Sequence, residues 1–215
     1  MATPKPAPNP STPRASPPQA TAPAPSRTVA IADVHYVPGF LTAEEIDEVC
    51  AAVSERPLYS ATIVGLPDDP VAVVRHGAVA AFPTERFPEV ASRLADVTAE
   101  LNAAHWRLDV APGVTDLEYA EYAPTPEGPG FFDWHFDLTD ARAAPLSRKL
   151  SFECGLGGGH RGGERLLRNG PTEYKVKVLP GDLVVFPSFV LQSVAPVREG
   201  VRRSLVGWVD GPRLR

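Results

Sequence analysis

The sequence predicts a mainly β fold, a small antiparallel double-sheet barrel of jelly-roll type with supporting N-terminal helices. Two amphipathic helical signals stand in the first half of the chain, and from Trp106 onward the period shortens to brief apolar or alternating runs. Those runs number about nine and are separated by Gly, Pro and Asp, the pattern of many short strands. At 215 residues the chain has room for one domain plus a tail, but not for a second full domain.

Residues 1–26 carry nine of the 25 prolines and six alanines, with no acidic residue and almost nothing large and apolar. Such a segment buries too little to offset its ordering entropy, so 1–27 is expected as a Pro/Ala-rich disordered tail and 28–215 as the folded domain. In the domain, Thr42 is an expected N-cap with Glu45 closing a capping box, and Leu41 and Ile46 form a staple, which starts a helix over 43–55. Pro88 suits a first helical position. Val90, Leu94, Val97 and Leu101 then recur every three or four residues, predicting a helix over 88–103 that lays an apolar stripe on a sheet. Strands are predicted at 106–110, 116–122, 131–137, 148–156, 164–168, 173–178, 182–187, 190–195 and 202–209.

Several function classes are excluded at this level. Lys and Arg total 21 against 26 Asp and Glu, a net charge of -5, and phosphate neutralisation needs clustered cations, so no nucleic-acid partner is expected. No apolar run is long enough for a membrane span and the N-terminus has no secretory h-region, so the expected location is cytoplasmic, without membrane attachment. Cys50 and Cys154 match neither a disulfide framework nor a CxxC metal site and read as reduced thiols. The loop Gly157-Gly158-Gly159-His160-Arg161-Gly162-Gly163 lacks the ending of a phosphate-binding loop.

Chemistry enters at Phe131-Phe132-Asp133-Trp134-His135-Phe136-Asp137. Strand alternation turns His135 and Asp137 to one face, where an imidazole nitrogen and a carboxylate oxygen can reach one point. That is two-thirds of a 2-His-1-carboxylate triad, the set that holds non-haem Fe(II) with open positions; alone, a hydrogen-bonded structural pair explains H-x-D equally well. Downstream come Arg148-Lys149-Leu150-Ser151, then Gly162-Gly163-Glu164, then Pro180-Gly181-Asp182-Leu183-Val184-Val185-Phe186-Pro187-Ser188. The chain closes with Gln192-x-Val194-x-Pro196-Val197-x-x-Gly200-x-Arg202-x-Ser204. In this order the motifs resemble the prolyl-4-hydroxylase-like branch of the Fe(II)/2-oxoglutarate dioxygenases, over roughly residues 36–212.

The resemblance implies a double-stranded β-helix, His135 and Asp137 as iron ligands, and Arg202 as partner of the distal carboxylate of 2-oxoglutarate, a task for a guanidinium fork. It also implies Ser204 as a second donor to that carboxylate and Tyr122 as a border of the cosubstrate, with Tyr119 on the opposite face. Where the family has its distal His ligand, this chain has Gln192, whose amide oxygen is a weaker donor to Fe(II). Three readings stay open: an oxygenase with an altered His135-Asp137-Gln192 site, a catalytically degenerate binding barrel, and a metal site with changed chemistry. For the last, Glu153 on the face of Ser151 is a candidate pocket carboxylate, against the alternative of an outward, solvated side chain. His160 is expected as an exposed loop residue, His35, His76 and His105 as ordinary core or surface residues, Trp134 and Trp208 as barrel packing and Cys154 as a small buried hydrophobe.

The favoured expectation is Fe(II)-, 2-oxoglutarate- and O2-dependent hydroxylation or related C–H oxidation of a small molecule or an amino-acid side chain, with ascorbate as reductant in vitro. Loops 61–82 and 138–147 are the expected seat of selectivity.

Overall fold

In a computed structural model the described residues are Met1, 34–61, 63, 64, 73–138, 146–157 and 159–213. The expected tail at 1–27, Met1 aside, and residues 62, 65–72 and 139–145 of the two expected selectivity loops lie outside them, while the described part of 61–82 is largely strand rather than loop. The strands before the second helix are β1 (His35–Val37), β2 (Tyr59–Ser60), β3 (Ile63–Val64), β4 (Val73–His76) and β5 (Ala78–Phe82). After it come β6 (Leu117–Tyr122), β7 (Gly130–His135), β8 (Leu146–Gly155), β9 (Arg161–Gly162) and β10 (Arg165–Asn169). The last four are β11 (Thr172–Val176), β12 (Leu183–Pro187), β13 (Leu191–Glu199) and β14 (Arg202–Pro212), and the helices are α1 (Ala43–Ser54) and α2 (Pro88–Leu101).

Both helices begin as their sequences dictate. The Thr42 hydroxyl accepts from the Glu45 backbone N–H at 3.2 Å while the Glu45 carboxylate accepts from the Thr42 N–H at 2.9 Å, a complete capping box. Pro88 opens α2, where its missing N–H costs nothing.

The strands form two seven-stranded sheets, ordered β1-β12-β8-β14-β6-β5-β2 and β11-β10-β13-β7-β4-β3, with β9 paired to β13. The strand ladders are antiparallel, and this is the jelly roll expected from the sequence. Alternation divides each strand between two environments. On the outer face of the first sheet, Leu117, Tyr119, Phe152, Cys154, Leu183, Val185 and Leu205 join Val49, Val53, Val90 and Leu94 of the helices in the main core. Between the sheets lie two smaller clusters, one built on Leu167, Val184, Phe186 and Val190, the other on Ala120, Tyr122, Val194 and Val197. Beside these clusters lie the polar side chains that, with a few aromatic neighbours, make the site.

Beyond the short strands β1 to β4 and β9, which no prediction covered, the structure corrects the sequence reading at two longer segments. The strand expected at 106–110 is absent: α2 runs into a π-helical turn, Asn102–Trp106, which ends at Arg107 with φ 54°. Buried Asn102 clasps Leu108 through both amide atoms, donating to its carbonyl and accepting from its N–H at 2.9 Å each, so the chain turns instead of extending. The opposite error concerns β5, an Ala-rich run with weak strand propensity that pairing with β6 over five residues nevertheless fixes.

Candidate metal and oxo-acid site

His135 ends β7 and Asp137 follows two residues later, its N–H donating to the Ser188 carbonyl at 3.1 Å. Phe136 between them is turned outward and 54% exposed, as alternation requires. His135 Nε2 lies 3.7 Å from Asp137 Oδ1, so the pair converges on one point. The imidazole is fixed from behind: Nδ1 donates to the Asp133 carbonyl at 2.7 Å, which leaves the Nε2 lone pair free, and the ring stacks on Phe132 at 3.5 Å between centroids. Burial lowers its pKa to about 4, with Arg165 and Arg75 adding to the effect, so the ring is a neutral donor near pH 7.

Asp137 is held with equal care. Burial alone would raise its pKa, but His135, Ser151, Trp208 and Arg165 outweigh that and keep it below the usual carboxylate value. Oδ2 accepts from the Ser151 hydroxyl at 2.7 Å and from the Gln192 amide nitrogen at 2.6 Å. Those two donors leave Oδ1 to face His135.

Gln192 stands across from His135 in the β13–β7 pairing, so the third expected residue is at the site. Its orientation differs from the expected ligand geometry. The nitrogen faces Asp137, and the oxygen accepts from Arg165 Nη1 at 2.8 Å. Flipping the amide would set N–H against guanidinium and oxygen against carboxylate, so its neighbours determine its direction. Among the described residues no group of three or more His, Cys, Asp or Glu could hold a metal ion. A divalent cation would therefore be held by His135 Nε2 and Asp137 Oδ1 as protein donors, with the amide oxygen turned away.

Arg202 and Ser204 share the inner face of β14, and Tyr122 faces Arg202 across the pairing with β6. All three are buried, and Tyr119 lies on the other face in the helix-side core, as alternation predicted. Burial pushes the Tyr122 phenol up against the pull of Arg75, Arg165 and Arg202. Arg202 is already occupied: its guanidinium donates to Glu153, to the Gly163 carbonyl at 2.6 Å and to Ser204 Oγ at 3.2 Å. The outward reading of Glu153 is thus overturned. It is 1% exposed, and its second oxygen pairs with Arg165 at 2.6 Å. Those two guanidinium groups outweigh burial and keep the Glu153 carboxyl below its usual value.

A cavity of about 480 Å³ opens beside these groups, lined by His135, Asp137, Ser151, Arg165, Gln192 and Ser204 among others. Trp134 and Trp208, expected only to pack, also line it. Each carries a stacked guanidinium, Arg168 at 4.4 Å from the Trp134 ring and Arg148 at 3.4 Å from that of Trp208. The polar wall continues through Arg75, paired with Glu118 at 3.0 Å. His160 lies in its loop, half-buried rather than exposed. Sequence reasoning missed Arg165, the residue that joins Gln192 to Glu153. The signal was present: Arg165 is two positions from apolar Leu167, which puts a cation on the inward face of a predicted strand.

The described residues thus form a double-stranded jelly roll with an H-x-D pair at an inter-sheet cavity. Residues 117–210, from β6 through most of β14, match the family model of the 2OG-Fe(II) oxygenase superfamily. A PKHD-type hydroxylase of Synechococcus sp. strain CC9605 is 34% identical over 82 residues, 37% of this chain and 36% of that relative. The match thus spans about a third of that relative's length. Among solved structures, a Pseudomonas putida prolyl-4-hydroxylase superposes with TM-score 0.62 at 22% identity, covering 84% of this chain and 93% of its own. A Trichoplax adhaerens prolyl hydroxylase, solved with a peptide fragment of the hypoxia inducible factor oxygen degradation domain, does so with TM-score 0.64 at 17% identity, covering 82% of each chain. These likenesses establish the fold. Among the described residues no helix is long and apolar enough to cross a membrane.

Proposed function

We propose that this chain is a non-haem Fe(II)- and 2-oxoglutarate-dependent oxygenase that hydroxylates, or otherwise oxidises at a C–H bond, a small molecule or an amino-acid side chain. The observation that carries this reading is the convergence of His135 Nε2 and Asp137 Oδ1 at a cavity inside the stretch that matches the superfamily. When bound, the iron and the oxo acid supply the activation of O2. The chain's own groups hold and orient. His135 offers a neutral nitrogen, Ser151 and Gln192 fix one Asp137 oxygen while the other faces His135, and Phe132 holds the imidazole plane. In this altered site Gln192 positions Asp137 through its N–H and stands in place of a third ligand.

A second reading has its own observation. Gln192 presents a donor to Asp137, and Arg202 is engaged by Glu153, as expected of a barrel that has become a binding domain. Purified protein given Fe(II), ascorbate, O2 and 2-oxoglutarate separates the two. The oxygenase forms succinate slowly even without its prime substrate; absence of iron uptake, with a melting temperature indifferent to 2-oxoglutarate, favours the binding domain.

A further inference from the structure

Glu153 interrupts an otherwise apolar stretch of β8, and alternation with Phe152 and Cys154 turns it inward, where solvent does not reach it. Both carboxylate oxygens are engaged, Oε1 by Arg202 and Oε2 by Arg165. Each of the three guanidinium nitrogens of Arg202 has a protein partner: Gly163 for Nε, Ser204 for Nη1 and Glu153 for Nη2. Gly163 is built to permit this, since at its φ of +73° an added Cβ would lie 2.8 Å from Arg202 Cδ. The chain of contacts runs Asp137, Gln192, Arg165, Glu153, Arg202, with two acids and two bases, so it is charge-balanced with no ligand present.

A 2-oxo acid entering the cavity meets Arg165, Gln192 and Ser204 on its wall, whereas Arg202 and Glu153 are not part of that lining. Glu153 occupies Nη2 of Arg202, so a distal carboxylate that paired with this guanidinium would meet Glu153 as a competitor. A tethered carboxylate forfeits no translational freedom on pairing, and two carboxylates on one buried guanidinium repel each other.

We propose that Glu153 competes with the distal carboxylate of 2-oxoglutarate for Arg202 and so sets the cosubstrate preference of the site. It weakens binding of a dicarboxylic oxo acid and leaves untouched a 2-oxo acid that has the same chelating end but no distal carboxylate. This rests on the oxygenase reading above and names the residue that tunes it.

The test uses the full chain loaded with Ni(II), titrated calorimetrically with 2-oxoglutarate and with 2-oxobutanoate, so that binding is read without turnover. Wild-type protein binds the two acids within about threefold of each other. Glu153→Gln binds 2-oxoglutarate about tenfold more tightly, the worth of one charge-assisted contact, and 2-oxobutanoate no differently. The single variant leaves two buried arginines without a counter-ion. Should it not fold, Glu153→Gln with Arg165→Gln restores the balance, and the same gain of 2-oxoglutarate relative to 2-oxobutanoate is expected. A wild-type preference for 2-oxoglutarate of about a hundredfold, as a free Arg202 would give, overturns the proposal. So does a Glu153 variant that binds 2-oxoglutarate no better than wild type. If Ni(II) is not retained and neither acid binds, the oxygenase reading falls and takes the proposal with it; retained Ni(II) with the wrong order of affinities removes the proposal alone.

Discussion

Replacing Gln192 by Leu, close in volume and apolar, tests whether this side chain is a bridge or a ligand. The wild-type amide is 1% exposed and makes two bonds to charged groups, 2.6 Å to Asp137 and 2.8 Å from Arg165. Hydrogen bonds to charged groups contribute roughly 1.5–3 kcal/mol each, so even the low end of that range costs about 3 kcal/mol in total. For a domain of this size about 1 kcal/mol moves the midpoint by roughly 2–4 °C, giving an expected fall of roughly 6–12 °C in the metal-free protein. Differential scanning calorimetry without metal reads that fall, and Ni(II) titration of the same variant reads the second half of the prediction. Because the amide oxygen faces Arg165 and only the positioning of Asp137 is lost, Ni(II) affinity in Gln192→Leu falls by less than about tenfold. An unaltered melting temperature refutes the bridge, and a Ni(II) affinity weakened about tenfold or more makes Gln192 a metal ligand after all.

Acid stability depends on His135. Its folded pKa of about 4 lies below the ordinary histidine value of 6.5, so as pH falls through that window the unfolded chain takes up a proton that the folded chain refuses. The metal-free protein therefore loses about 3 kcal/mol of stability between those two values on account of this group, and urea denaturation across the range shows a smaller loss in His135→Asn; equal losses in both proteins contradict the assignment. Arg165→Met removes a buried cation whose charge acts on both His135 and Asp137, leaving Glu153 paired with Arg202. Divalent-metal affinity is expected to rise about tenfold or more, measured by competition with a fluorescent chelator, and no change contradicts the coupling. Gly163→Ala forces a Cβ into Arg202 Cδ and Val197 Cγ2, both at 2.8 Å, in a backbone conformation that L side chains avoid. It costs upwards of about 1 kcal/mol in urea denaturation, and a variant as stable as wild type disproves the contact.

Much of the fold was legible because period and punctuation are local. The capping box at Thr42, the proline opening α2 and the alternating runs of β6, β8, β12 and β14 all state their structure within a few residues. The strands that escaped notice have no such signature. Tyr59–Ser60 and Ile63–Val64 are two residues long, and Ala78–Phe82 exists because β6 offers it a ladder. At the site, alternation turned His135 and Asp137 to one face, while Gln192, Arg202, Ser204 and Tyr122 were singled out by the family resemblance; all six lie in the barrel interior. What it could not give was the direction of an amide or the choice of an ion-pair partner. The orientation of Gln192 follows from Arg165, and the burial of Glu153 follows from two guanidinium groups on strands far apart in sequence. A carboxylate on an apolar strand is compatible with solvent on one face or cations on the other, and only the assembled barrel decides.

The account stands most directly on an anaerobic Fe(II) titration of wild-type protein beside His135→Ala, Asp137→Ala and Gln192→Ala. One equivalent of iron should bind to the wild type, be lost in the first two variants and be retained in the third. Iron that persists without the Asp137 carboxylate, or that departs with the Gln192 amide alone, contradicts a centre held by His135 and Asp137.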